Sequence, residues 1–345
     1  MVRRLNEKLK IAFVVLSYFT ISILMVLMNK SLLSQSKGKQ IPFFITWYQC
    51  VITAIICWLL GKLGKVSQKD SWVHSFPEQH YQVKTAIAVF PLSAIFVGMI
   101  TFNNLCLQHV TVSFYLVARS LTIVFNVILS YTVLGLTTSL PVIVCCGIVI
   151  FGFFIGSEGE IAFSLLGTVF GVFASLFVSL NSIFTKKMIS VVDNNSWRLC
   201  FYNNMNSSFL FIPLIFVFEK DIFRNPQLYF SSSFWWKMTV AGILGFLIGI
   251  VTIAQISLTS PLTHNISGTA KACLQTLIAV LFLNEKVSFR SLVGIVCVLF
   301  GTFMYSVVRS REMDRNKTKD SPKLGPAPAV IEMDEDKPLL TKRDL

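Results

Sequence analysis

Two basic residues stand inside apolar runs, and their chemistry is the first question this chain raises. Arg119 lies about eight residues into the run containing "YLVARSLTIV", and Lys271 about nine residues into the run containing "PLTHNISGTAKACLQT". At ~1.5 Å per helical residue these depths are roughly 12–14 Å, too deep for easy snorkelling to a membrane surface. No Asp or Glu falls in the interior of any apolar run; Glu219, Asp221 and Glu285 sit at run ends. An unpaired buried charge is strongly unfavourable, and ionisable groups inside a membrane are functional candidates by default. The pattern points to an anion as the missing counter-ion. A water-filled vestibule with carbonyl partners is the alternative. The absence of acids also argues against a carboxylate proton relay and for exchange of one anion for another.

Polar and aromatic residues gather in the same kind of run. "FYNNMN" supplies Tyr202, Asn203, Asn204 and Asn206, and "TFNN" supplies Asn103 and Asn104. A carboxamide carries donors and an acceptor, enough to read a base edge. Tyr18 and Tyr115 offer rings that stack on a base or sugar. Thr263, His264 and Asn265 precede Lys271 and offer polar contacts or a helix cap. For each residue alone, bonding between helices is an equal reading. Cations, paired amides and aromatics together describe an anionic nucleotide as ligand.

The elements that must position these groups are membrane helices. Of the 345 residues 54% are hydrophobic, and the mean hydropathy is +0.68. Crossing ~30 Å of hydrocarbon takes about 20 apolar residues in a helix. The runs predict ten spans, at roughly 9–30, 42–61, 84–107, 111–133, 139–157, 164–187, 198–218, 236–257, 262–284 and 290–308. The first is too long for the apolar core of a cleavable leader. The residues from about Ser310 to Leu345 are polar and read as a disordered cytosolic tail. The net charge of +13 suits basic residues at helix ends on the cytosolic face, which predicts cytosolic termini. No basic, aromatic-interleaved soluble region supports binding to a nucleic-acid polymer; the bilayer is the expected partner. The eight cysteines lie in or beside apolar runs without CxxC spacing, and the four histidines are scattered. Neither a disulfide framework, a metal site nor a cofactor is expected.

The two cations also bear on symmetry. They sit at similar depth in spans four and nine, which are five apart and run in opposite directions. Matches at a shift of 149 residues accompany them, such as Val144 with Val293 and Gly152 with Gly301. The expected fold is all-α and polytopic, with ten transmembrane helices as two inverted five-helix repeats, 1–157 and 158–309. Small residues four apart, such as Gly152 and Gly156, read as close helix packing.

"SILMVLMNK", "FNNLCLQHVTVSFYLVARSLTIVFN", "FYNN" and "SPLTHNISGTAKAC" closely resemble the nucleotide-sugar transporters of the drug/metabolite transporter superfamily, over about residues 10–308. The resemblance implies an antiporter and not an enzyme; no DxD motif or buried carboxylate pair opposes that. It implies GDP-fucose moving from the cytosol into the Golgi lumen in exchange for GMP, to supply fucosylation. Another GDP-sugar, or a sugar phosphate or other organic anion, stays open as cargo, as does the endoplasmic reticulum as location. A homodimer is a further expectation. By the same resemblance Tyr202, Asn203 and Asn204 read guanine. Ser267, Gly268, Thr269, Ala270 and Lys271 stand where GDP-mannose carriers have G-A-L-N-K; Ser267, Gly268, Thr269 and Lys271 are expected at phosphate and sugar. Arg119 stands where those relatives have Lys and is expected to serve charge balance or gating. Tyr18, Asn103, Asn104, Tyr115, Thr263, His264 and Asn265 are expected to line the cavity. "EDKPLL" in the tail fits an acidic dileucine sorting pattern.

Overall fold

The computed structural model describes residues 2–35, 41–66, 76, 78, 81–110, 112–135, 138–158, 164–220, 231–259, 264, 267–268 and 288–319. These residues form nine α-helices and no strand: α1 (Val2–Gln35), α2 (Pro42–Val66), α3 (Val83–His109), α4 (Val112–Leu134), α5 (Leu140–Glu158), α6 (Leu165–Met188), α7 (Ser196–Phe218), α8 (Ser232–Leu258) and α9 (Phe289–Lys319). The first eight match the first eight expected spans, and α9 matches the tenth. The expected ninth span, 262–284, lies outside the described residues except for 264, 267 and 268. Among the described residues six helices are long and apolar enough to cross a membrane, in α2, α3, α6, α7, α8 and α9, and α1, α4 and α5 carry shorter apolar stretches. Large apolar side chains such as Phe13, Leu140, Phe154, Trp236 and Phe303 are exposed around the bundle, where lipid takes the place of water. The chain is an all-helical polytopic membrane protein.

Local chemistry sets several helix ends. Pro42 opens α2, where its missing N–H costs nothing. Ser164 caps α6 by accepting from the Gly167 N–H at 3.1 Å. Asn195 caps α7 by accepting from Trp197 and Arg198 N–H groups at 2.9 and 3.2 Å. The turn before it places Asp193 and Asn194 at positive φ, 57° and 54°, which short polar side chains tolerate. One cap comes from another helix. Glu219, at the end of α7, accepts from the first-turn N–H groups of α2, Phe43 at 2.7 Å and Phe44 at 2.9 Å. The two carboxyl oxygens there satisfy orphan donors of the first turn of α2. In the same way the Lys186 ammonium on α6 donates to Ile256 and Ser257 carbonyls at the end of α8, at 3.3 and 2.8 Å.

The helices pack in defined pairs: α5 on α9, α3 on α6, α2 on α7, α4 on α6, α1 on α8, α2 on α8 and α3 on α7. Close approach needs small residues, as the spacing predicts. A Cβ on Gly294 of α9 would lie 2.5 Å from the Gly156 Cα of α5, and one on Gly171 of α6 would lie 2.8 Å from the Ala118 Cβ of α4. One expectation needs correction. The polar tail was expected from about Ser310, but α9 continues to Lys319. No Pro or Gly interrupts this stretch. Glu312 pairs with Arg309 one turn back at 2.9 Å and accepts from the Ser139 hydroxyl just before α5. Residues 320–345, with the EDKPLL sequence, lie outside the described residues.

Candidate functional site

Arg119 is half-buried on α4 beside an asparagine of α3. Its Nη1 donates to the Asn103 Oδ1 on α3 at 3.3 Å, and the Tyr115 hydroxyl donates to the same oxygen at 2.7 Å. The Asn103 amide N–H in turn donates to the Met99 carbonyl one turn back at 2.6 Å, which fixes Oδ1 as the acceptor facing α4. Among the described residues no carboxylate pairs with Arg119. The guanidinium has five N–H donors, and among the described residues its hydrogen-bond partner is the neutral Asn103. Asn104 beside it is half-buried.

A second cluster joins α1 and α8 to the stretch before Lys271. Gln255, fully buried near the end of α8, donates through Nε2 to the Ser267 hydroxyl at 2.9 Å, and its Oε1 lies 3.0 Å from the His264 Nδ1. The His264 ring meets the buried Tyr18 ring edge-on at 5.1 Å. A Cβ on Gly268 would lie 3.7 Å from the Tyr18 hydroxyl, so that position stays close to α1. Thr263, Asn265, Thr269 and Lys271 lie outside the described residues.

The "FYNN" residues divide. Tyr202 is buried with Leu199, Val89 and Phe246, and its hydroxyl accepts from the Gln82 N–H at the start of α3, at 3.1 Å. Asn204 donates to the Cys200 carbonyl of its own helix at 2.9 Å. Asn203 holds a buried Oδ1 with no hydrogen-bond partner among the described residues. The amide oxygen of Asn204 likewise accepts no hydrogen bond given by the described residues, so both asparagines of the motif keep an acceptor. Asn206 belongs elsewhere; its N–H donates to the Ala86 carbonyl at 2.8 Å and ties α7 to α3. Sequence reasoning missed Gln255, whose only signal is an amide in the apolar "TIAQIS". It also missed Ser207, one turn beyond Asn203, with a buried hydroxyl that has no partner among the described residues.

Among the described residues the interior of this many-helix membrane protein holds a cation without a carboxylate beside it and a buried amide oxygen without a partner. The chain belongs to the Triose-phosphate Transporter family, whose sequence profile matches residues 9–306. That is a family of transporters, not of enzymes. The chain is 48% identical to GDP-fucose transporter 1 of Nematostella vectensis, across 91% of this chain and 93% of that one. It is 47% identical to GDP-fucose transporter 1 of Mus musculus, across 94% and 90%. It is 42% identical to the GDP-fucose transporter, Golgi, of Drosophila melanogaster, across 92% and 96%. A solved crystal structure shares the fold, with a TM-score of 0.56 at 16% identity, across 86% of this chain and 98% of that one.

Proposed function

We propose that this chain is an antiporter that carries GDP-fucose from the cytosol into the Golgi lumen and returns GMP, supplying fucosylation. The observation that carries the reading is Arg119, an interior cation that donates to Asn103, whose same oxygen accepts from Tyr115, with no carboxylate beside it among the described residues. A phosphate group supplies the missing negative charge, and the guanidinium fork suits it. The relatives supply the sugar and the base: proteins named as GDP-fucose transporters match at 42–48% identity along about nine-tenths of the chain. On this reading the open acceptor of Asn203 takes a guanine donor, and Lys271 joins Arg119 at the phosphates.

The helix pairing supports two inverted repeats of five helices. Such symmetry exchanges α1 with α6, α2 with α7 and α3 with α8. The pairing of α1 with α8 then mirrors α6 with α3, and α2 with α8 mirrors α7 with α3; both pairs occur. With ten spans the termini share a side, and Lys62, Lys65, Lys186, Lys187 and Arg198 favour the cytosol for it.

The test is exchange in proteoliposomes loaded with GMP and offered GDP-fucose, GDP-mannose, UDP-galactose or CMP-sialic acid. GDP-fucose is expected to enter fastest. Uptake of a UDP- or CMP-sugar without GDP-fucose would overturn the guanine assignment, and preference for GDP-mannose would overturn the fucose.

A further inference from the structure

Tyr115, Arg119, Thr122 and Asn126 are spaced i, i+4, i+7 and i+11, so they form one stripe along α4. The first two belong to the cation cluster. The other two are 2% and 0% exposed, and the Thr122 hydroxyl and both polar atoms of the Asn126 amide have no hydrogen-bond partner among the described residues. Buried polar groups are nearly always paired, so three orphaned atoms on one stripe need a cause.

The cause is on α6. Threonines and asparagines in membrane helices ordinarily donate to the carbonyl four residues back. In this chain Thr46, Thr101, Thr168 and Thr302 do so, as do Asn103 and Asn204. For Thr122 that carbonyl is Ala118, and for Asn126 it is Thr122. The Ser175 hydroxyl already donates to the Ala118 carbonyl at 2.7 Å, and the Ser179 hydroxyl to the Thr122 carbonyl at 2.7 Å. A carbonyl oxygen has two lone pairs; the helix ladder takes one and the serine the other. Ser175 and Ser179 thereby deny Thr122 and Asn126 their local partners.

We infer that Thr122 and Asn126 are the subsite for the sugar of the cargo, and that Ser175 and Ser179 keep them free for it. The chemistry selects the class of ligand. The Asn126 Oδ1 requires a donor and its Nδ2 an acceptor. An ionised phosphate offers acceptors only, whereas two neighbouring hydroxyls on a sugar ring satisfy both atoms at once. Position agrees: Thr122 lies ~4.5 Å and Asn126 ~10.5 Å along the helix from Arg119, so the stripe runs from phosphate to sugar. Asn126 is also ~12 Å from the Leu134 end of α4, and Asn203 ~10 Å from the Ser196 end of α7. Those ends share a side in an alternating bundle, so base and sugar are read at one level. Both α4 side chains are closed off from solvent here, so cargo reaches them when the bundle opens.

This subsite rests on the nucleotide-sugar reading, and its test separates the two. Exchange is measured in proteoliposomes for wild type, Asn126→Ala and Thr122→Val, with GMP and with whichever nucleotide sugar the wild type carries. Wild type alone decides the cargo. For the variants, the ratio of the KM for the nucleotide sugar to the KM for GMP is expected to rise about tenfold for Asn126→Ala and several-fold for Thr122→Val, the loss of one or two hydrogen bonds. Thr122→Val keeps the side-chain shape and guards against misfolding of the other variant. Ser179→Ala is expected to raise the same ratio, because it returns the Thr122 carbonyl to Asn126. An unchanged ratio in Asn126→Ala and Thr122→Val, including equal weakening of both substrates, would overturn the subsite.

Discussion

At the scale of single residues, the proposed function depends on Arg119 having no carboxylate partner among the described residues. The Asn103 Oδ1 is its neutral anchor at 3.3 Å, so the positive charge persists for cargo. Two substitutions of Asn103 separate this from a packing role. Asn103→Ala removes the anchor and is expected to raise the KM for phosphorylated cargo several-fold, because the guanidinium is no longer oriented. Asn103→Asp keeps the shape but places a carboxylate against Arg119. The resulting ion pair satisfies the guanidinium internally, and exchange should fall further than in Asn103→Ala. If packing were all that mattered, the near-isosteric Asp would be the milder change; initial rates of exchange decide. Arg119→Ala is expected to cost 10- to 100-fold in kcat/KM, on the scale of a lost charge-assisted hydrogen bond. The cation and its lack of an acid were legible in the sequence, because a charge in an apolar run stands out. Thr122, Asn126 and Gln255 were not. Their significance lies in which neighbouring groups are already occupied, and α6 or the stretch around His264 decides that through space.

At the scale of elements, Glu219 links α7 to the first turn of α2. Burial pushes its carboxyl up to about 7 from an ordinary 4.5, and the N–H bonds from Phe43 and Phe44 pull the other way. No neighbouring charge contributes to the shift. The folded carboxyl therefore holds its proton more firmly than the unfolded one. Its contribution to stability is fully present below pH 4.5 and is lost as pH rises through about 7. Melting of the purified protein between pH 5 and 8 is the measurement. The wild-type midpoint should fall across this window relative to Glu219→Gln, which stays uncharged; parallel curves would show that the carboxyl does not titrate there. The helices themselves were largely readable, since apolar runs and the Ser164 and Asn195 caps mark them in the chain. Two features were hidden for a shared reason. Glu219 looks like an ordinary polar residue at the end of a span until α2 arrives to be capped. The extension of α9 to Lys319 looks like tail until Ser139 and Arg309 engage Glu312.

At the scale of the whole molecule, the proposed arrangement of two inverted halves around an interior cation bears on what exchange can couple to. Among the described residues Glu219 is the one buried acid, and it is engaged in capping at a helix end, not in a relay beside Arg119. Coupling to protons thus has no carboxylate to run through in the described interior. A GDP-sugar carries two negative charges on its diphosphate, and a nucleoside monophosphate carries −1.5 to −2 near neutral pH, since its second pKa is ~6. One-for-one exchange then moves almost no net charge. Moving a full elementary charge would engage ~2.3 kcal/mol per 100 mV, equivalent to about a 50-fold change in equilibrium accumulation. Proteoliposomes clamped at opposite potassium diffusion potentials of about 100 mV should therefore accumulate GDP-fucose against GMP within about twofold of each other at pH 7.5. At pH 6 half of the GMP carries one charge less, and a measurable dependence on potential should emerge if both forms are carried. A proton ionophore should leave accumulation unchanged at pH 7.5. Collapse of uptake by the ionophore would mean that a proton is transported, and that its carrier lies outside the described residues.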